Sequence, residues 1–286
     1  MRLFIFGYGY VGRALARRMQ AEGWTVAASL RPDADAAPLL AEGVTPIRLD
    51  DPAALAGALA EAQAILVTAA PGPEGCPGLL SLVPALARAQ AFPDWIGYLS
   101  TTGVYGDRHG GWVTEASPLA AQSTEGARRA AAERDWLEVG RGMGLTVGVF
   151  RLPGIYGPGR SAFERLRAGE ARRITAPGQV FSRIHVDDLA AGLAASIAHP
   201  RAGGVYNLCD DEPSANSEVI AYAAGLLGMA PPPEVALEDA NLSSIAQRFY
   251  AESKRVSNAR AKAELGWRPA YPSYREGLQA ILDLEN

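Results

Sequence analysis

Cysteine is nearly missing from this chain: Cys76 and Cys209 are its two representatives, far apart and outside any C-x-x-C pattern. That excludes a disulfide framework and a cysteine-built metal centre, and makes reduced thiols in a cytoplasmic setting the expectation. Extended basic clusters are missing too. Cationic runs do not exceed pairs such as Arg17-Arg18, Arg128-Arg129 and Arg172-Arg173, and the formal net charge is −4, so the footprint of a nucleic-acid binder is absent. The three histidines, His109, His185 and His199, form no nucleophilic triad with a recognisable spacing. No uncharged apolar run approaches a membrane span, and the first apolar run begins almost at Met1, where a signal peptide would need room. The expectation is a soluble cytoplasmic protein with a small-molecule substrate, without metal, membrane or nucleic-acid partners.

What is present begins at the N-terminus. The apolar run Leu3-Phe4-Ile5-Phe6 leads into Gly7-Tyr8-Gly9-Tyr10-Val11-Gly12, and Val11, Leu15, Ala16 and Met19 follow at helical spacing. A G-x-G-x-x-G gains meaning when a strand enters it and a helix leaves it. Its glycines permit a tight turn, close approach of a diphosphate and close helix packing, while the helix N-terminus offers unpaired N–H groups to the charge. Gly7, Gly9 and Gly12 are those positions, with Tyr10 and Val11 between them.

With 48% hydrophobic residues in 286, the chain can bury a large core. β-like runs at Trp24 to Leu30, Val44 to Leu49, Ala64 to Ala69, Trp95 to Ser100 and Leu145 to Phe150 alternate with helical stretches. The helices are expected at Asp33 to Glu42, Pro52 to Ala62, Gly78 to Ala91 and Ser123 to Gly140. This alternation predicts an α/β, Rossmann-type doubly wound parallel sheet. Composition changes after Arg151, where prolines and glycines crowd together, so a smaller, discontinuous C-terminal substrate lobe is expected. The division reads as 1–155 plus 183–212 for the dinucleotide-binding domain and 156–182 plus 213–286 for the lobe. Arg183 to Ala198 and Gly204 to Leu208 read as strand, helix and strand returning to the main sheet.

Several later stretches extend this reading. Tyr98-Leu99-Ser100-Thr101-Thr102-Gly103-Val104-Tyr105-Gly106, Arg151-Leu152-Pro153-Gly154-Ile155-Tyr156-Gly157-Pro158-Gly159, Ile184-His185-Val186-Asp187-Asp188-Leu189-Ala190, Tyr206-Asn207-Leu208 and Leu265-Gly266-Trp267-Arg268-Pro269 occur in that order. Together with the glycine ladder they resemble the extended short-chain dehydrogenase/reductase family, the NAD-dependent epimerases and dehydratases. The resemblance implies a nicotinamide dinucleotide cofactor, hydride transfer on a small carbonyl or sugar-derived substrate, and often pairing into homodimers. It also implies a Tyr and a Lys four residues apart on the helix after the Ser/Thr strand. Here, aligned on Glu133, those positions hold Glu125 and Arg129, and the helix has no tyrosine.

A carboxyl near pKa 4.3 is ionised at neutral pH, and a cation one turn away keeps it so, which makes Glu125 a poor acid; it remains a possible base. Its structural alternative is an acid in the first turn after the N-cap Ser123, paired i,i+4 with Arg129. Arg129 could reach ribose or phosphate as a fixed cation. Thr101 could orient a substrate oxygen or simply cap a strand end. Tyr156, and after it Tyr105, could replace the missing phenol. For the cofactor, the second strand ends in Ser29 and is followed by Arg31, which favours NADP over NAD. Asp33 reads as a helix cap. Asp50 stands where the family contacts adenine. Thr68, Ala69, Ala70 and Pro153 fit positions beside the cofactor. The rival to an enzyme is a non-catalytic NAD(P)-binding sensor.

Overall fold

The computed structural model describes residues 1–242 and 244–285. Seven strands form one wholly parallel sheet: β1 (Arg2–Phe6), β2 (Thr25–Leu30), β3 (Val44–Arg48), β4 (Ala64–Val67), β5 (Trp95–Thr101), β6 (Val147–Leu152) and β7 (Gly204–Asn207), in spatial order 3-2-1-4-5-6-7. The order reverses between β1 and β4, and in such sheets ligands bind at the carboxyl edge at that reversal. The helices needed below are α1 (Tyr10–Ala21), α2 (Ala37–Ala41), α3 (Pro52–Ala60), α4 (Pro77–Ala89), α5 (Thr124–Met143), α6 (Ala162–Arg167), α7 (Val186–Ala198), α8 (Asn216–Leu226), α9 (Ser244–Tyr250), α10 (Ala259–Leu265) and α11 (Tyr274–Glu285).

Side chains alternate across a strand, and β1 shows how both faces close. Leu3 and Ile5 join a buried cluster with Leu15 and Met19 of α1 and Leu189 and Leu193 of α7. Phe4 and Phe6 point the other way, among Leu59 of α3, Leu82 and Leu86 of α4 and Trp136 of α5. Burial on both sides explains why the strands read as continuous apolar runs. A separate cluster gathers Phe163 and Leu166 of α6, Ile220 and Ala223 of α8, and Leu278 and Ile281 of α11.

Two expectations about elements change. The helix read at Asp33 to Glu42 is confined to α2, because Pro38 lacks an N–H and is tolerated only in a first turn. Asp35, not Asp33, accepts a hydrogen bond from the Ala37 N–H, at 2.9 Å. The strand at Arg183–His185 does not enter the main sheet; it pairs with Gly154–Tyr156, beyond Pro153, and only Gly204–Asn207 returns. Proline has no ladder donor to give, so the chain leaves the sheet at Pro153 and carries a second small sheet outward.

Candidate functional site

The glycine turn joins β1 to α1, and each glycine has its own physical reason. Gly7 has φ +97°, and a β-carbon there would lie 2.5 Å from Thr68 Oγ1. The turn is tied down from both sides: Ser29 Oγ accepts the Gly7 N–H at 2.9 Å, and the Thr68 hydroxyl donates to the Gly7 carbonyl. At Gly12 a β-carbon would press on Ile5 Cγ2 at 3.1 Å, so glycine lets α1 pack closely on β1. Gly9 differs. It has ordinary extended backbone, and a β-carbon there would meet nothing within 4 Å. Its missing side chain serves the space in front of it, not the packing behind.

That space is a cleft of 320 Å³ lined by Gly9, Tyr10, Val11, Gly12, Thr68, Thr101, Arg129, Pro153 and Arg160 among others. No side chain caps the start of α1. Tyr10 donates to the Pro158 carbonyl at 3.1 Å and lies under the Arg160 guanidinium; burial, with Asp187 nearby, pushes its phenol up to about 12. Arg129 donates to the Leu99 carbonyl at the end of β5 and stacks on Tyr98, which fixes its fork at the cleft wall.

At the other end of the edge, Arg31 follows β2, and Arg48, opposite Leu30 in the β2–β3 register, donates to the Pro32 carbonyl. Both arginines are exposed. Sequence reasoning named Arg31 and missed Arg48, although its place as the last residue of a strand was a usable signal. Thr68 and Ala69 are half-buried beside the glycine turn, while Ala70 and Asp50 are exposed, Asp50 in the turn before α3.

Beyond the cleft lies a larger cavity of 520 Å³, lined by Thr101, Ser123, Glu125, Pro153, Phe181, Ser182, Phe249, Glu252 and Lys254 among others. Thr101, Leu152 and Pro153 border both spaces, so the two lie side by side. Thr101 Oγ1 accepts the Gly103 N–H at 3.1 Å, which leaves its own hydrogen to donate. Ser123 caps α5 by accepting the Gly126 N–H at 3.0 Å. Phe181 and Phe249 stack with centroids 4.4 Å apart, forming an apolar wall. Phe181, Phe249, Glu252 and Lys254 escaped sequence reasoning, because nothing local announces that their segments fold over the sheet edge.

Helix α5 is held in register by a buried network. Glu133 accepts from Arg151 Nη2 at 2.7 Å and Nε at 3.1 Å and from the Ser100 hydroxyl. Arg151 also donates to the Tyr105 hydroxyl at 3.0 Å, and that hydroxyl donates to Asn207 at 2.7 Å. With Glu133 anchored to β5 and β6, Arg129 and Glu125 rise one and two turns earlier toward the cleft and the cavity.

The tyrosines proposed as substitute acids face elsewhere. Tyr156 is a correction: its ring packs among side chains of α6, α8 and α11 and against His185, and its hydroxyl points to the Ser273 carbonyl at 3.4 Å. Burial, with Asp210 and Asp188 nearby, holds that phenol far above the ordinary tyrosine range. It therefore cannot serve the cleft. Tyr105 is fully buried in the Arg151 network. His185 caps α7 through Nδ1, and His199 ends it.

The sheet order and glycine turn define a Rossmann-type fold, and the edge cleft lies where the nicotinamide dinucleotide implied by the family resemblance would sit. The residues present fit that group: the cleft is open above Gly9 and uncapped at α1. Residues 74–209, just under half of the chain, match the sequence model described as "NAD dependent epimerase/dehydratase family". It is 45% identical to a functionally unknown conserved protein from Silicibacter pomeroyi DSS, covering 100% of this chain and 99% of that one, with a TM-score of 0.90. It is 33% identical over 139 residues to a 3-diazoavenalumate denitrifying reductase from Streptomyces sp, a match spanning 46% of this chain and 45% of the reductase. A UDP-glucose 4-epimerase from Thermus thermophilus, solved in complex with NAD, shares the fold at 23% identity, with a TM-score of 0.78 and coverage of 99% and 98%. Among the described residues, no helix is long and apolar enough to cross a membrane.

Proposed function

We propose that this chain is an NADP-dependent oxidoreductase that reduces or oxidises a small carbonyl or sugar-derived substrate by hydride transfer. One observation carries the reading: Thr101, Leu152 and Pro153 are common walls of the cofactor cleft and the outer cavity. A nicotinamide at the inner end would meet a substrate at the outer one. When bound, the cofactor supplies or accepts the hydride; the chain's own residues hold, orient and shield.

In this reading Gly7, Gly9, Tyr10, Val11 and Gly12 cradle the diphosphate through backbone N–H groups and the helix dipole. Ser29 and Arg31 meet the adenosine ribose and its phosphate, with Arg48 adding a second cation, and Thr68, Ala69, Ala70 and Asp50 border the same half. Arg129 holds ribose or phosphate as a permanent charge. Thr101 directs a hydrogen bond at the substrate oxygen. Glu125, at the cavity, stands as a base for a proton next to a carbonyl, the step that an epimerisation or dehydration would add.

Two experiments test the reading. Arg31→Glu is expected to weaken NADPH at least tenfold more than NADH in calorimetric titration, because reversing a charge beside the extra phosphate does not penalise a ligand that lacks it. Equal weakening of both would remove the NADP assignment. In a substrate-panel assay, Glu125→Gln is expected to lower any exchange of the proton next to the carbonyl by about a hundredfold or more. Unchanged exchange would eliminate Glu125 as a base.

A further inference from the structure

Hydride transfer to a carbonyl, the reading on which this inference rests, leaves negative charge on oxygen, and some group must hand that oxygen a proton. The helix that should carry a phenol has none, Tyr156 and Tyr105 are committed elsewhere, and Glu125 is a carboxyl of low intrinsic pKa. Among the described residues lining the outer cavity there remains one nitrogen acid able to release a proton: Lys254.

Three observations set Lys254 apart. The chain has only two lysines among its 27 lysines and arginines, Lys254 and Lys262; it uses arginine almost everywhere that a cation suffices. Lys262 lies toward solvent and pairs with Asp211, whereas Lys254 is 9% exposed. Second, its backbone is pinned on both sides. The Ser253 N–H donates to Asp107 Oδ1 at 2.7 Å, the Val256 N–H donates to Ser182 Oγ at 3.0 Å, and Arg255–Val256 pairs with Trp112–Val113. Third, its ammonium pairs with Glu252, which lines the same cavity and offsets the cost of burying the charge.

The chemistry matches. A lysine ammonium ionises near 10.4 and a tyrosine phenol near 10, so the two are acids of nearly equal strength, whereas arginine does not release its proton in proteins. We propose that Lys254 is the proton donor to the substrate oxygen, a catalytic residue supplied by the smaller lobe in place of the family's helix phenol. The reductant is the reduced nicotinamide. The carbonyl carbon gains a hydride, the C=O π pair moves onto oxygen, and an O–H bond forms as one Nζ–H bond breaks. The neutral amine then recovers its proton from water. In the oxidative direction the same amine removes the hydroxyl proton.

The test uses the full-length protein, NADPH, and a panel of benzaldehydes, aliphatic ketones, 2-oxo acids and nucleotide ketosugars, with NADPH consumption as the readout. Lys254→Met is expected to lower kcat by about a hundredfold or more and leave the NADPH Kd within about twofold. Lys254→Arg is expected to fall as far, since it keeps the charge and not the transferable proton. A second readout needs no substrate. In protein whose lysines carry 13C at Cε, the signal missing from Lys254→Met should move on saturation with NADP⁺ while that of Lys262 stays still.

Turnover by Lys254→Met within about threefold of wild type, rescue by Lys254→Arg, or a Lys254 signal indifferent to NADP⁺ would each overturn the proposal and leave the oxidoreductase reading standing. NADPH binding without turnover on any member of the panel would overturn that reading, and this proposal with it.

Discussion

Gly9→Val is expected to abolish measurable NADPH binding while lowering the melting temperature by only a few degrees. Most glycines in a tight turn are poor probes of ligand binding, because replacing them strains the fold. Gly7 is such a case: its φ of +97° and the Thr68 hydroxyl behind it make any side chain there a structural lesion. Gly9 lacks both liabilities. Its backbone is extended, and a new β-carbon meets no protein atom within 4 Å. What the isopropyl group would fill is the approach to the N–H groups at the start of α1, where a diphosphate must come within hydrogen-bonding distance. The folding cost is confined to a poorer N-cap, about 1 kcal/mol, or a few degrees in a chain of this size. Calorimetry and a thermal melt on one preparation check both halves. Retained affinity would mean that the cleft above Gly9 is not where the diphosphate lies.

Glu133→Ala is expected to destabilise the protein by about 3–5 kcal/mol, read as a loss on the order of 10 °C in melting temperature. The Glu133 and Arg151 side chains are 3% and 7% exposed, and they meet in a two-pronged pair. Deleting the carboxylate leaves a buried guanidinium with only the Tyr105 hydroxyl and the Glu115 carbonyl, and leaves the Ser100 hydroxyl without its acceptor. The penalty is the unpaired charge and not the worth of the pair itself, so Glu133→Ala/Arg151→Met should recover much of the loss. Chemical denaturation of the single and double variants checks this. Equal stability of Glu133→Ala and wild type would contradict the role of this pair in holding α5 against β5 and β6.

The parallel sheet was legible because a strand buried on both faces has no choice but a continuous apolar run, and β1, β4 and β5 are such runs. The glycine ladder was legible for a related reason: backbone turning, close packing and ligand approach each exclude a side chain, and the sequence records that exclusion directly. The register of α5 came from the family resemblance, in which Glu133 stands where an acid often follows, and the structure buries that acid against Arg151 and Ser100. The segments outside the main sheet were less readable. Tyr156 follows Pro153-Gly154-Ile155 in a segment whose direction depends on pairing with Arg183–His185, a contact between stretches far apart in sequence that leaves no local mark. Lys254 and Phe249 lie on segments delivered to the cavity by α9 and the Arg255–Val256 pairing, and periodicity says nothing about where such segments end. The false start of α2 was readable in principle, since Pro38 forbids a helix that begins well before it.

In the proposed function the edge of the sheet around Gly7, Gly9 and Gly12 holds the diphosphate of a nicotinamide dinucleotide. Calorimetric titration of the wild-type protein with NADPH and with NADH tests it most directly. Saturable binding of at least one of them, NADPH the tighter, is the predicted result; the absence of heat and of any thermal shift with both would contradict it.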